Sequence, residues 1–166
     1  MLHKWDSSLK CLPPQRLVAM APTLARPLVF TNGVFDLLHV GHVRCLELAS
    51  QQGSELVVAL NSDTSARGLN KTGWSGERPL NTLQDRARIV ASLACVSWVT
   101  WFDEGTPAAL LAALQPDVYV KGGDYREEDL PETPQVQAWG GRVAIVPFVA
   151  GHSSTRLLQR LEGQAA

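Results

Sequence analysis

The 166-residue chain has few cysteines, no excess of charge of either sign and no long hydrophobic run. Its three cysteines, Cys11, Cys45 and Cys95, form no C-x-x-C pair, which argues against a zinc knuckle or a disulfide framework. Fifteen Lys and Arg residues against sixteen Asp and Glu residues give a formal net charge of -1, whereas nucleic-acid-binding proteins usually carry a basic excess. No apolar stretch is long enough for a membrane span or a secretion signal. We therefore expect a cytoplasmic protein that binds neither nucleic acid nor membranes.

Length and composition predict one ordinary folded domain. Hydrophobic residues make up 45% of the chain and charged residues 19%, which excludes intrinsic disorder and a coiled-coil rod. The first part of the chain is punctuated by prolines and only weakly patterned. We therefore interpret residues 1–26 as an N-terminal arm and residues 27–162 as the folded domain.

Apolar runs alternate with helical patterns along the rest of the chain. Five strand-like segments, most of them continuous apolar runs typical of buried strands, begin at Leu28, Leu56, Val96, Val118 and Val143. Apolar residues at helical spacing, or helix-opening signals, follow several of these runs. This alternation predicts an α/β fold, a Rossmann-like doubly wound parallel sheet of about five strands with helices on both faces.

Polar or glycine-rich segments follow four of the predicted strands. They are T-N-G at 31–33, N-S-D at 61–63, K-G-G-D at 121–124 and G-H-S-S-T at 151–155. In parallel sheets, ligands bind beyond the carboxyl ends of the strands, at the point where the strand order reverses. These four segments therefore predict the position of the site.

The common nucleotide-binding motifs are absent from the sequence. Neither G-x-G-x-x-G after the first strand nor G-x-x-x-x-G-K-[ST] occurs, which argues against a dinucleotide fingerprint and a P-loop. The first strand instead runs into T-N-G-V-F-D-L-L-H-V-G-H at 31–42. Gly33 permits a tight turn, and Gly41 permits close approach to a helix expected to begin near His42. The unpaired N–H groups of a helix entrance favour phosphate.

His39 and His42 flank this predicted phosphate seat. Imidazoles there can donate hydrogen bonds to phosphate oxygens and counter the charge that develops during displacement at phosphorus. A zinc site is one alternative, although no third histidine lies nearby in the sequence. The other alternative is one histidine in a core hydrogen bond and the other at the surface. The strand, turn and helix around the pair favour the phosphate interpretation.

The T-x-G-x-F-D-x-L-H-x-G-H pattern resembles the signature of the nucleotidyltransferases with an H-x-G-H motif, and the likeness runs from about Leu28 onward. Asn32, the N-S-D turn, R-P-L-N at 78–81 and K-G-G-D-Y at 121–125 are similar to the stand-alone members that act on D-glycero-β-D-manno-heptose 1-phosphate. The resemblance implies condensation of ATP with this sugar phosphate to ADP-heptose and pyrophosphate, a step toward the lipopolysaccharide inner core. It also implies Mg²⁺ carried by ATP and a homo-oligomer.

The resemblance assigns roles to individual residues. His39 and His42 would hold the triphosphate and stabilise the transition state, with Lys71 as a third catalytic residue over the phosphates. The residues implied to bind the nucleotide are Thr31, Asn32, Gly33, Phe35, Gly41, Lys121, Gly122, Asp124, Ser153, Ser154 and Thr155. Those implied to bind the second substrate are Asn61, Asp63 and Arg86. No residue is implied to be a metal ligand.

Some of these assignments have structural alternatives. Lys71 could be a solvated surface lysine, Ser153 and Thr155 could be helix caps, and Arg86 could pair with Asp36 beneath the site. His152 fills a variable position of the signature and receives no role.

Two other functions remain open at this point. The chain could use CTP with a polyol phosphate such as glycerol 3-phosphate, although the K-G-G-D-Y segment argues against it. It could also be a non-catalytic nucleotide-binding module.

Overall fold

The computed structural model of the chain describes residues 6–69, 76–123, 126–147, 149 and 151–164. Short 3₁₀ turns cover Ser7–Lys10, Ala21–Thr23 and Glu127–Asp129. The strands of the described part are β1 (Leu28–Gly33), β2 (Glu55–Asn61), β3 (Trp98–Phe102), β4 (Val118–Gly122) and β5 (Arg142–Val146). Its α-helices are α1 (Pro14–Met20), α2 (Val40–Ser50), α3 (Asp63–Gly68), α4 (Leu83–Ala91), α5 (Ala108–Leu114), α6 (Thr133–Ala138) and α7 (Ser154–Gln164).

All strand pairs of the sheet are parallel, and the strand order is β3-β2-β1-β4-β5. The chain winds outward from β1 through β2 to β3 and then returns to β4 on the other side of β1. The order therefore reverses between β1 and β4, where the carboxyl ends of a doubly wound sheet leave a crevice. The predicted five-stranded Rossmann-like fold is confirmed.

Helices cover both faces of the sheet and bury two cores. Leu17 of α1, Leu111 of α5 and Val136 of α6 lie in one core, on the face toward which Phe30 and Tyr119 project. The second core holds residues of α2 and α4 against the alternate strand positions. Full burial of one large apolar side chain stabilises the fold by roughly 1.5–3 kcal/mol, so both faces contribute to its stability.

The segment that we interpreted as an N-terminal arm packs against the sheet. Leu12, Leu17 and Leu24 are buried in the core that contains α5 and α6. The N–H of Leu12 donates to the carbonyl of Val99 at 2.9 Å, which extends the edge at β3. Pro14 occupies the first turn of α1, where a proline is tolerated, so the prolines that weaken the sequence pattern are compatible with a helix.

The helix boundaries differ from the sequence prediction in small ways. Helix α2 begins at Val40 rather than near His42, because the extended His39 is its N-cap residue. Thr82 caps α4, because its Oγ1 accepts a hydrogen bond from the N–H of Asp85 at 3.3 Å. Helices α3 and α6 are six residues each and lie in polar stretches, so apolar periodicity gave no sign of them. No helix in the described ranges is long and apolar enough to cross a membrane.

Gly53 occupies a closely packed turn between α2 and β2. A Cβ there would overlap the carbonyl oxygen of Pro27 and lie 2.7 Å from Cγ2 of Val29. We expect Gly53→Ala to lower the free energy of unfolding by about 1–3 kcal/mol, the usual cost of overpacking. Gly68, at the end of α3, is the matched control because a Cβ there meets nothing within 4 Å.

For Gly68→Ala, we expect a free energy of unfolding within about 1 kcal/mol of the wild-type value, or above it. Urea denaturation measures both variants. Equal midpoints for the two would contradict the packing that the structure gives to Gly53.

Candidate active site

A cleft of about 660 Å³ opens at the carboxyl edge of the sheet, where the strand order reverses. The ends of β1, β2 and β4, the first turn of α2 and the start of α7 contribute to its wall. The residues of the sequence-predicted site that line it are Thr31, Asn32, Gly33, Phe35, His39, Gly41, His42, Asn61, Lys121, Gly122, Ser153, Ser154 and Thr155. The four polar strand ends thus meet at one place.

The remaining members of the predicted site are elsewhere. Asp63 and Arg86 are not among the residues that line the cleft. Lys71 and Asp124 fall outside the described residues, so their roles stay predictions.

His39 and His42 form a stacked pair at the entrance of α2. Their ring centroids are 3.8 Å apart with 23° between the planes. Nδ1 of His42 accepts a hydrogen bond from the backbone N–H of His39 at 3.4 Å. A Cβ on Gly41 would lie 3.0 Å from both Cε1 and Nδ1 of His39. The glycine of the motif therefore leaves the space that the His39 ring occupies.

Burial and the neighbouring His152 favour the neutral form of the His39 imidazole. Burial lowers the pKa of His39 below its ordinary value, and the electrostatic effect of His152 lowers it further. A neutral imidazole carries one N–H donor and one acceptor nitrogen. The buried Nδ1 of His39 has no hydrogen-bond partner among the described residues. The ring therefore keeps hydrogen-bonding capacity for a ligand in the cleft.

The loop that carries the motif is strained and is held by Asp36. Phe35 and Leu37 adopt left-handed backbone conformations, with φ of 50° and 48°, which cost roughly 1–2 kcal/mol per residue. The Asp36 carboxylate between them accepts the backbone N–H of Leu80 at 2.7 Å. It also accepts the N–H and the Nδ2 of Asn81, both at 3.1 Å. These hydrogen bonds fix the motif loop to the R-P-L-N segment.

The first turn of α7 is joined to the same loop. Oγ of Ser154 donates to the backbone carbonyl of Asp36 at 2.8 Å. Oγ of Ser153 accepts a hydrogen bond from the N–H of Arg156 at 3.2 Å. Ser153 therefore caps the helix, which was one of the two interpretations of this residue. Contact of these hydroxyls with a triphosphate stays a prediction.

Arg86 is fully buried and serves as a hub beneath the cleft. Its guanidinium donates to Oδ1 of Asp63 at 2.7 Å. It also donates to the backbone carbonyls of Val34 at 2.6 Å, Asn61 at 3.0 Å and Asn81 at 3.1 Å. A buried charge is tolerated when it is paired and its donors are satisfied, as they are here.

The prediction of an ion pair between Arg86 and Asp36 is wrong. Asp36 instead accepts hydrogen bonds from the R-P-L-N segment, while Asp63 pairs with Arg86. Both residues link loops around the cleft through separate contacts. Direct contact of Arg86 or Asp63 with a substrate stays a prediction.

Cys45, Arg78, Glu132 and His152 are among the cleft-wall residues that sequence reasoning missed. Arg78 opens the R-P-L-N segment and donates to Oγ1 of Thr155 at 3.4 Å, so its motif was a signal that could have been used. His152 directly precedes the serines of the second signature. Glu132 lies in a polar stretch without any motif, and nothing in the sequence distinguishes it from a solvated carboxylate.

A smaller groove of about 290 Å³ adjoins the cleft on the side of α7. It is lined by His39, Gly151, His152, Ser153, Arg156, Leu157 and Arg160. Its wall therefore carries two histidines and two arginines. In the described ranges, no group of three or more His, Cys, Asp or Glu residues is arranged to hold a metal ion.

Fold and cleft together define a Rossmann-like α/β protein with a ligand site at the topological switch point. A family model described as cytidylyltransferase-like matches residues 30–159. The chain belongs to this family, and the relationship predicted from the H-x-G-H signature is confirmed.

Curated relatives extend this relationship. The chain is 52% identical to "D-beta-D-heptose 1-phosphate adenylyltransferase" of Bordetella bronchiseptica, over 92% of this chain and 93% of the relative. It is 46% identical to "Bifunctional protein HldE" of Streptomyces coelicolor, over 93% of this chain and 34% of that protein. The chain thus spans about a third of the bifunctional relative.

Solved structures agree with the fold. A lipopolysaccharide core biosynthesis protein from Thermoplasma volcanium superposes with a TM-score of 0.59 at 27% identity, covering 74% of this chain and 95% of that one. Pantothenate synthetase from Thermus thermophilus gives the same TM-score at 15% identity, over 84% of this chain and 62% of that one, and shares the fold.

Removal of the Arg86 guanidinium should destabilise the whole domain. Arg86→Met leaves the Asp63 carboxylate and three backbone carbonyls without their donor, and we expect a loss of about 3–5 kcal/mol in the free energy of unfolding. Arg88→Ala is the matched control two residues along α4, because Arg88 is exposed and its pair with Asp6 spans 3.4 Å. Its loss should stay below about 1 kcal/mol. Similar urea midpoints for the two variants would contradict the hub.

Proposed function

We propose that the chain condenses ATP with D-glycero-β-D-manno-heptose 1-phosphate to ADP-heptose and pyrophosphate. The observation that carries the proposal is the stacked His39–His42 pair at a helix entrance, in a chain 52% identical to a heptose 1-phosphate adenylyltransferase. A cleft of about 660 Å³ is within the usual range for small-molecule sites. The resemblance also implies a cytoplasmic homo-oligomer, and we include both in the proposal.

The proposed reaction is an in-line displacement at the α-phosphorus of ATP. A phosphate oxygen of the sugar forms the new bond to phosphorus, and the bond to the bridging oxygen of the leaving pyrophosphate breaks. A phosphate monoester is largely ionised near pH 7, so the attack requires no general base. The protein then has to position the two substrates and stabilise the charge that moves onto the leaving group.

The histidine pair suits the second task. Because Nδ1 of His42 accepts a backbone hydrogen bond, a neutral His42 carries its proton on Nε2, where it can donate to an oxygen. Burial and His152 lower the pKa of His39, which favours its neutral form, and a neutral imidazole still carries one N–H donor for a phosphate oxygen. Preorganised donors of this kind act most strongly in a site sheltered from water.

The leaving pyrophosphate has a cationic groove beside the histidines. Arg156 and Arg160 line this groove, and the eleven-residue helix α7 begins next to it. The partial positive charge of the α7 N-terminus adds to that of the arginines. Mg²⁺ enters as part of the MgATP substrate, with the triphosphate oxygens and water as its ligands.

Pyrophosphate release tests the proposed reaction. We expect release from ATP with D-glycero-β-D-manno-heptose 1-phosphate, and none from CTP or with glycerol 3-phosphate or phosphopantetheine. Release from CTP with glycerol 3-phosphate would replace the proposed substrates. If the folded protein binds ATP but releases no pyrophosphate with any of these substrates, the result would favour a non-catalytic nucleotide-binding module.

The histidine pair should account for much of the rate. We expect His39→Ala and His42→Ala each to lower kcat by about 10²–10³, the usual loss for one transition-state donor. Arg44→Ala is the matched control, because Arg44 is exposed on the same helix and pairs with Glu47 at 3.4 Å. Single-turnover kinetics with all three variants measure the effect, and near-wild-type turnover of either histidine variant would remove that residue from the mechanism.

A further inference from the structure

Glu132 is a largely buried residue of the cleft wall whose carboxylate is not used by the fold. It is only 6% exposed and lines the cleft just before α6. Its side chain does not cap that helix, and among the described residues it has no hydrogen-bond or ion-pair partner. Because the rest of the residue is buried and the side chain lines the cleft, its carboxylate oxygens are left for a ligand in the cleft.

The chemistry of the carboxylate limits what it can bind. An ionised carboxylate is only an acceptor, with about four lone-pair sites, so its ligand must bring donors. It repels phosphate, so the ligand group is an uncharged part of a substrate. Hydroxyl groups of a sugar meet both conditions.

Asn32 presents a donor to the same cleft. Its Oδ1 accepts hydrogen bonds from the Tyr119 hydroxyl at 2.8 Å and from Nζ of Lys121 at 3.0 Å. These two donors fix the orientation of the amide, and Nδ2 has no acceptor among the described residues. Asn32 and Glu132 therefore offer a donor and an acceptor, the combination that hydroxyl groups require.

Both side chains lie on the α5–α6 face of the sheet. Asn32 follows Phe30 by two residues on β1 and so projects toward the face where Phe30 packs with α5 and α6. Glu132 directly precedes α6, which is tied to α5 by the hydrogen bond from Nε2 of Gln135 to the carbonyl of Ala108 at 3.0 Å. The histidine pair and α7 lie on the α2 side.

In-line displacement places the two substrates on opposite sides of the reacting phosphorus. With the pyrophosphate in the cationic groove beside α2 and α7, the attacking sugar phosphate comes from the α5–α6 side. Lys121 is then close to the phosphate of the acceptor, and Glu132 faces its uncharged part.

We propose that Glu132 binds hydroxyl groups of the acceptor sugar and selects a polyhydroxylated sugar phosphate, with Nδ2 of Asn32 as the complementary donor. This inference rests on the proposed function, and it assigns to the acceptor the end of the cleft that Asn32 and Glu132 line.

Glu132→Gln tests the inference, because it keeps the shape of the side chain and removes its charge. We expect KM for the heptose 1-phosphate to rise about 10- to 100-fold, as for lost hydrogen bonds to a charged group, with KM for ATP unchanged. Glu128→Gln is the matched control, since Glu128 is exposed and pairs with Arg126 at 3.4 Å. Neither KM should change in the control.

Acceptor sugars that lack one hydroxyl group identify the hydroxyl that Glu132 binds. A series of monodeoxy heptose 1-phosphates should contain one that is a poorer substrate for the wild-type enzyme but not for Glu132→Ala. We also expect Glu132→Gln to unfold at a temperature close to that of the wild type, because the carboxylate makes no hydrogen bond or ion pair with the described residues.

Four outcomes would overturn the inference. A rise in KM for ATP instead would make Glu132 a nucleoside contact, and unchanged constants for both substrates would leave it without a ligand. A marked fall in the unfolding temperature would make its role structural. If the wild-type protein is inactive with heptose 1-phosphate, the proposed function is rejected and this inference with it. If the wild type is active, the constants of the Glu132 variants test this inference alone.

Discussion

The geometry of the cleft depends on one buried guanidinium. Arg86 joins the loop after β1 at Val34, the end of β2 at Asn61 and the segment before α4 at Asn81, and it pairs with Asp63. Backbone carbonyls in irregular loops have no regular secondary-structure hydrogen bonds. Here the Arg86 side chain donates hydrogen bonds to three such carbonyls. Because the guanidinium is out of contact with water, moving any one loop would leave a carbonyl without its donor and a buried N–H of Arg86 without its acceptor.

Asp36 complements this hub from the other side of the motif loop. Left-handed backbone at Phe35 and Leu37 persists only where the surroundings over-determine it. The four hydrogen bonds that Asp36 accepts, three on its carboxylate and one from Ser154 on its carbonyl, provide that constraint. The aspartate of the F-D-x-L-H pattern is therefore explained by loop geometry, and the histidines receive fixed positions as a result.

The sequence predicted the sheet and the location of the cleft because both follow from local patterns. Continuous apolar runs identify buried parallel strands, and polar strand ends such as those at Asn61 and Lys121 meet at one edge by topology alone. The partner of Arg86 was not predictable, since two aspartates lay at suitable positions and only tertiary packing distinguishes them. Glu132 was missed for a related reason. Only its burial in the cleft wall distinguishes it from a solvated carboxylate, and burial cannot be read from a polar stretch of sequence.

The two faces of the sheet divide the proposed reaction between them. On the α2 side, helix entrances and cationic side chains suit the charge that leaves with pyrophosphate, while the α5–α6 side offers an amide and a carboxylate that suit hydroxyl groups. Gly33 and Gly122 end the two central strands, and a Cβ at either would lie within 3.0 Å of Phe35 or Cys45. At these two positions the carboxyl edge of the sheet therefore presents backbone without side chains. A phosphoryl group reacting there would lie between a leaving group and a nucleophile held by different walls, which is the arrangement that in-line displacement requires.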